Sequence, residues 1–554
     1  MPQKTIFSRP PILTVSCSFP AAGTVRTTDE RVFNLYQKAV LYDKQPCLWE
    51  GLFRLACLIK SKPMDEPVAA YILHAIEDSE NGALSGTFNE QICIARAAFA
   101  LFEYNTDREI LKRIASWLRY VEIEFDNLIR QDHILYHPAD LMELLVRFYQ
   151  ASGVKSALRI SARLRAEAFD WTTALHTFQQ TIPVCTDDQK EEQPFPDKEP
   201  AEIEFDEKER LINHAETLAD GVRYTIFAGI YSGHKQDLSA GKTVWKHLLK
   251  HHHALCGGTT GSPYLCGNAA DRPVFNTVPA AWTEAFAAVM AMPDSEWALD
   301  EMIRIVFNAL DEYLNRPEHA SQRINSVSLP NRSSDDLSYL YARMTRAVAA
   351  AYHHAVALSE NGIRIQYPVH GRYMIMARKQ PLILIMGPDG VVFQCKKAVS
   401  VNIDFYLSAI STSSIRVIRN SDITEELNGI SAGNAGIMIH MDTEWHNRDE
   451  IRLVPENRTT VEETHHHGCA YFASNRLLCV PSDPETFACA VCRDPERTEG
   501  EFIICTAPVE KWKLRDNQPG DIPVLPEIRG QAEQKRMQYY ADVPCRISMF
   551  PRAR

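Results

Sequence analysis

Residues 335–369 read DDLSYLYARMTRAVAAAYHHAVALSENGIRIQYPV, and a change of texture inside this stretch decides the fold. From Asp335 to Ser359 apolar residues recur at helical spacing. After Asn361-Gly362 short β-branched and aromatic runs take over, starting with 363–369. The chain therefore divides near residue 361 into a helical part, 1–361, and a β-rich part, 362–554.

Upstream of the boundary, amphipathic blocks follow one another at 29–42, 45–59, 66–76, 89–103, 107–123, 139–152 and 155–169, then at 210–231, 240–253, 279–292 and 295–314. Short connections carrying Gly, Pro, Asn or Asp join them, as in stacked antiparallel hairpins. About a dozen helices suit six pairs closed into a ring, an (α/α)6 toroid. Residues 183–209 interrupt the series as an acidic, proline-rich loop or insertion, with Asp187-Asp188, Glu191-Glu192, Pro194, Pro196 and Pro200. Downstream, runs at 373–377, 382–386, 391–395, 413–417 and 437–440 are separated by turns such as Pro388-Asp389-Gly390, which predicts a β-sandwich. Helical periodicity returns only at 531–538.

Composition narrows the classes of function. A length of 554 residues exceeds what one hydrophobic core supports, and 45% apolar with 23% charged residues is ordinary globular usage. A net charge of −12 argues against a nucleic-acid partner, which calls for a basic face. No run approaches the roughly 20 apolar residues of a membrane span, and residues 1–27 lack a basic start followed by an apolar core. The fourteen cysteines form no compact framework, so reduced thiols in a cytoplasmic protein are expected. Cys489 and Cys492 have metal-like spacing but stand alone in strand-like sequence, where buried thiols are the simpler account.

One glycine-rich segment carries a family resemblance. Leu255-Cys-Gly-Gly-Thr-Thr-Gly-Ser-Pro-Tyr-Leu-Cys-Gly267, with Trp282-Thr-Glu-Ala-Phe286 after it, resembles the β-L-arabinofuranosidase family, glycoside hydrolase family 127 and its relatives. Supporting matches are His137-Pro-Ala-Asp-Leu-Met-Glu143, Tyr149-Gln-Ala-Ser-Gly153, Ile212-Asn-His-Ala215 and Tyr539-Tyr-Ala-Asp-Val-Pro-Cys-Arg-Ile547. The resemblance implies an (α/α)6 barrel followed by β-sandwich material. It also implies a zinc ion held by one glutamate and three cysteines, one of them the nucleophile, and a second glutamate as acid/base. Glu284 matches the zinc-binding glutamate. The cysteine two positions on is Phe286, the later cysteine pair falls at Tyr339-Leu340, and the acid/base falls at Ser262-Pro263-Tyr264. No metal ligand is therefore assigned and no cofactor expected; a zinc ion would have to be held without those cysteines.

The expected activity is that of a glycosidase on a pentofuranoside or related glycoside, working through carboxylates as most glycoside hydrolases do. Glu284, Asp140 and Tyr339 are the catalytic candidates. Asp140 stands where relatives carry a substrate-contacting histidine, and Glu284 sits among alanines and aromatics, where a carboxylate needs a partner. His214, Thr259, Thr260, Ser262, Tyr264, Trp282 and His137 are the candidate sugar contacts, the imidazoles and hydroxyls by hydrogen bonding and the rings by stacking. Further acids, Glu90, Glu143 and the pair Asp335-Asp336, also fit a solvated helix face or helix N-terminus. The runs His251-His-His253 and His465-His-His467 fit packing or sugar contact better than zinc, because adjacent helical residues point about 100° apart. Gly257-Gly-Thr-Thr-Gly261 lacks the lysine of a P-loop and marks a close backbone turn instead. Two alternatives stay open, a sugar-binding pseudoenzyme and a lyase or epimerase with Tyr339 or His214 as base. The expected partner is an oligosaccharide or glycoside, and the β-rich half offers a homodimer surface.

Overall fold

The computed structural model describes residues 23–79, 81–130, 133–181, 207–261, 263–268, 274–292, 295–315, 334–359, 362–377, 380–387, 390–408, 414–420, 422–428, 436–455, 459–463, 468–479, 496–498, 501–506, 533–542 and 550–551. Most of the insertion at 183–209, together with Ser262, 465–467, Cys489 and Cys492, lies outside the described residues.

The helical half contains α1 (Glu30–Ala39), α2 (Pro46–Ile59), α3 (Pro67–Glu77), α4 (Phe88–Asn105), α5 (Arg108–Leu128), α6 (Ala139–Ser152), α7 (Lys155–Glu167), α8 (Trp171–His176), α9 (Glu207–Asn213), α10 (Ala215–Ser232), α11 (Lys235–His251), α12 (Thr277–Met290), α13 (Glu296–Arg304), α14 (Leu310–Asn315) and α15 (Ser334–His354). Starts are set by local chemistry. Thr87 and Glu90 form a reciprocal capping box on α4, and Asp29, Asp107 and Asp170 accept backbone N–H bonds at the starts of α1, α5 and α8. Gly153 and Gly233 end α6 and α10 in the left-handed conformation that glycine adopts freely.

Six of these helices pack in cyclic order. Helix α2 packs on α4, α4 on α6, α6 on α10, α10 on α12, α12 on α15, and α15 returns to α2. The inner position of α12 explains its sequence, TVPAAWTEAFAAVM, in which every residue is buried. A helix buried on all sides is apolar around its circumference.

The β half runs β2 (Val356–Ser359), β3 (Gly362–Ile365), β4 (Gly371–Ala377), β5 (Gln380–Gly387), β6 (Gly390–Cys395), β7 (Val399–Leu407), β8 (Ser414–Arg419), β9 (Asp422–Asn428), β10 (Ile437–Trp445), β11 (Glu450–Pro455), β12 (Thr460–Glu463), β13 (Gly468–Ala473), β14 (Arg476–Cys479), β15 (Glu496–Thr498), β16 (Glu501–Thr506), β17 (Glu533–Tyr539) and β18 (Phe550–Pro551). One sheet has the order β1-β4-β5-β6-β11-β8-β9, where β1 (Gly23–Arg26) comes from ahead of the helices. A second is β10-β7-β3-β2, with β3 and β7 parallel, and a third is β12-β13-β14-β17-β16-β15 with β18 on β13. The first sheet, with the segment between β3 and β4, meets the C-terminal ends of inner helices α2 and α15. Arg26 donates to the Cys57 carbonyl at 2.7 Å, Tyr367 to that of Ala351 at 2.7 Å and Tyr373 to that of Tyr352 at 2.8 Å. These side chains satisfy carbonyls that a helix end leaves without partners.

Four elements differ from the periodic reading. Helix α15 stops at His354, and Val356–Ser359 is already a strand, since its backbone pairs antiparallel with β3. The block at 210–231 is broken at His214, whose backbone is extended and bridges Tyr264. The block at 295–314 holds a π-turn at 305–309, beside which Gly257, at φ +103°, lies so close that a side chain there would meet the Ile305 backbone. The stretch expected as helix at 531–538 is strand β17, where pairing with β16 overrides propensity.

The ring's tightest contact lies between α2 and α15, where a methyl group on Gly51 would collide with the Thr345 side chain. Gly51→Ala is expected to lower stability by about 1–3 kcal/mol, the usual cost of overpacking, measured as a fall in the denaturation midpoint. An unchanged midpoint would mean that α2 and α15 are not held this close.

Candidate active site

Polar and charged residues recur at i, i+3 and i+4 on the inward faces of the inner helices, Glu216-Asp220-Arg223 on α10 and Tyr339-Arg343-Arg346 on α15 among them. They meet halfway along the ring. Arg346 Nε lies 2.9 Å from Glu284 Oε1, Arg343 pairs with the other oxygen, and Arg223 Nη1 is 3.6 Å from Oε1. Asp140 is bound by Arg96 at 2.7 Å, by Arg223, and by Arg346 at 3.5 Å. Arg96 also reaches Glu50 at 2.7 Å and Glu143 at 3.3 Å, and Arg343 binds Asp220. Burial alone would push the Asp140, Glu143 and Asp220 carboxyls up, but the surrounding guanidiniums outweigh it and hold all three below the ordinary range.

On the N-terminal side of this layer stands a second group. Tyr339, 47% exposed, directs its hydroxyl at Glu216, which also accepts from Arg343 Nε at 2.9 Å and from the Thr277 hydroxyl at 2.6 Å. Desolvation raises the tyrosine pKa, Arg343 opposes the rise and Glu216 adds to it. His214 caps α10 through Nδ1, which accepts the Thr217 N–H at 3.3 Å, and its ring meets Tyr264 edge-on with centroids 5.6 Å apart. His137 is exposed one residue before the Pro138 cap of α6. Desolvation lowers the pKa of both histidines, so they are neutral at pH 7.

The other candidate contacts are placed differently. The Trp282 ring is fully buried between Trp245 and Phe286, with its N–H 3.0 Å from the Thr259 hydroxyl. Thr260 is buried too and donates to the Gly267 carbonyl. These three side chains brace the glycine-rich loop and point away from the ring's centre. Glu90 serves the α4 cap, and His252 and His253 are bound to the Gln180 carbonyl and to Glu301.

On the C-terminal side of the ionic layer lies a cavity of about 800 Å³. All six inner helices line it, through residues such as Cys57, Glu103, Gln150, Ile230, Ala288 and His354, so the helices run parallel and the cavity is the ring's lumen. Glu284, 7% exposed, forms part of its floor. Residues that sequence reasoning passed over dominate the site: Arg96, Arg223, Arg343, Arg346, Glu50, Asp220 and Glu216. Their signal was the appearance of arginines in otherwise apolar helical runs, as in Ile94-Ala-Arg-Ala-Ala98.

A zinc ion at Glu284 does not fit this donor set. Three guanidiniums already neutralise the carboxylate, and the positions matched to the cysteine ligands hold Phe286, Tyr339 and Leu340. Among the described residues no group of three or more His, Cys, Asp or Glu is disposed to hold a metal.

Comparison with solved structures finds the same architecture in several glycoside hydrolases. A structure described as a glycoside hydrolase superposes with TM-score 0.70 at 12% identity, covering 98% of this chain and 99% of that one. More particularly, the neighbours include a GH127 β-arabinofuranosidase (TM-score 0.63, 10% identity, 97% and 98% coverage) and a GH127 β-L-arabinofuranosidase from Geobacillus stearothermophilus T6 (TM-score 0.52, 13% identity, 96% and 100% coverage). The chain thus shares the fold of these GH127 structures over nearly its whole length, at 10% and 13% sequence identity. No protein-family model and no curated protein sequence matches it.

Two outcomes follow from these electrostatics. Arg346→Met leaves Glu284 and Asp140 short of a buried partner and is expected to cost about 3–5 kcal/mol, read from chemical denaturation at pH 7; a loss below 1 kcal/mol would show that the layer is solvated. His252, fully buried, has its pKa lowered by desolvation to about 4. In the unfolded chain it takes up a proton below pH 6.5, whereas the folded chain does so only near pH 4. Its share of stability is therefore complete above pH 6.5 and falls by on the order of 3 kcal/mol as pH drops to 4. Denaturation midpoints of wild type and His252→Asn across that window should show a steeper decline in the wild type.

Proposed function

We propose that this chain is a glycoside-binding protein built on an (α/α)6 toroid followed by a β-sandwich, taking a pentofuranoside or related glycoside at the N-terminal mouth of the ring. The observation that carries the reading is the fate of the acids. Glu284 and Asp140 are brought together, but as members of a neutralised ionic layer. A general acid must carry a proton at working pH, and guanidiniums around Asp140 keep that carboxyl ionised. Hydrolysis through a protonated carboxyl at Asp140 is therefore disfavoured. The mouth keeps what recognition needs: the half-exposed Tyr339, exposed His137, and His214 beside Tyr264. The cyclic packing of the six inner helices supports the toroid, and the separate sheets, antiparallel except for the β3–β7 pair, support the sandwich.

A second reading rests on the Tyr339 and Glu216 contact. Tyr339 stands where the resemblance puts a cysteine, and its hydroxyl proton can pass to Glu216 as the phenolic oxygen attacks an anomeric carbon. Since both nearby imidazoles are neutral, the pair would act on glycosides whose leaving group departs without protonation.

The experiment compares binding of methyl arabinofuranosides with turnover of nitrophenyl arabinofuranosides. Binding without turnover is expected of wild type, with at least a tenfold loss of affinity in His214→Ala. Turnover that disappears in Tyr339→Phe while binding persists would establish the second reading. Turnover that disappears in Glu284→Gln with stability and binding intact would overturn the first and restore a carboxylate mechanism.

A further inference from the structure

The lumen beyond the ionic layer has a chemistry unlike that of the mouth where Tyr339 stands. We propose that this chamber is a binding site for a neutral amphiphile, an apolar chain or ring bearing hydroxyl or ether oxygens. Its volume of about 800 Å³ is in the range that encloses a small organic ligand. Phe53, Phe99, Phe227 and the alanines of α12 form its walls, and Met374 and Met376 of β4 stand at its rim, 41% and 57% exposed. Flexible, polarisable methionines at a rim suit an apolar partner of variable shape.

Charge decides against an ion as ligand. Every arginine lining the chamber is already paired: Arg54 with Glu50 and Glu103, Arg147 with Glu103 and Glu143, and Arg96, Arg223 and Arg346 with the acids of the layer. An added anion or cation would meet no uncommitted opposite charge and would lose its hydration. What remains uncommitted is neutral. His353 and His354, at the end of α15, line the chamber, and neither imidazole has a hydrogen-bond partner among the described residues. Burial lowers their pKa values, to about 4 and about 3, so near pH 7 each ring offers one donor and one acceptor to a hydroxyl or ether oxygen.

The probe is octyl glucoside below its micellar concentration, followed by titration calorimetry on the full chain, with octanoate, octylamine and glucose as controls. Octyl glucoside is expected to bind at least tenfold more tightly than any control. Ala288→Leu, which extends into the lumen, should weaken it at least tenfold without lowering the denaturation midpoint; should that variant not fold, Met376→Glu at the exposed rim should produce the same loss. Absence of binding, equal binding of octanoate or octylamine, or unchanged affinity in the variant that folds would overturn the proposal. Tyr339→Phe, on the far side of the ionic layer, should leave octyl glucoside binding unchanged, which separates this test from that of the glycoside site.

Discussion

Neutralisation of four buried guanidiniums is the condition on which the ring depends. Arg96, Arg223, Arg343 and Arg346 come from α4, α10 and α15, and the carboxylates that hold them come from α2, α6, α10 and α12. All six inner helices thus enter one network at one height along the ring axis. Sliding any helix by a turn would separate a buried charge from its partner, at a cost of several kcal/mol. Such a layer adds little net stability over an apolar core of equal volume, because desolvation offsets most of the attraction. Its contribution is to register: it tells each helix where to stop relative to its neighbours.

The same layer divides the lumen. Ala287 and Ala288 on α12 and Ala350 on α15 are too small to fill the axis, so space remains on the C-terminal side. Helix ends there expose carbonyls, and Arg26, Tyr367 and Tyr373 cover them from the β half. The β sheets are therefore more than an appended module, since they complete the backbone hydrogen bonding of the helices whose lumen they border. Strand β1 reinforces the link, bringing residues from ahead of the first helix into the same sheet as β4.

The helices were legible because period 3.6 survives burial on one face, and α6 matches its sequence pattern residue for residue. Breaks inside helices were not. His214 interrupts a continuous apolar pattern because Tyr264, fifty residues away, supplies a bridge that no local signal announces. Strand β17 departs from the periodic reading for the same reason, since its partner β16 ends at Thr506, too far along the chain from Glu533 for a hairpin signal. At the site, Glu284 stands out as a lone acid among alanines, while its partners carry only the signal of arginines inside apolar helical runs, which does not say what they face. Arginines on five-turn helices read as solvated faces until the ring turns those faces inward.

Placing a guanidinium where the resemblance puts a metal changes what Glu284 can do. A divalent ion with an open position polarises what enters its coordination sphere and stabilises a thiolate beside it. Arg343 and Arg346 supply comparable positive charge to the carboxylate but hold it through fixed N–H bonds with no vacant position. The positions that the resemblance matches to cysteines hold side chains with other partners: Phe286 packs into the cluster of Trp245 and Trp282, and Tyr339 offers a hydroxyl bound to Glu216. Each substitution alone would leave a buried charge or an idle ligand. Together they leave the Glu284 carboxylate held by guanidiniums, the Phe286 ring packed on tryptophan and the Tyr339 hydroxyl on Glu216, so each of the three side chains has a partner of matching chemistry.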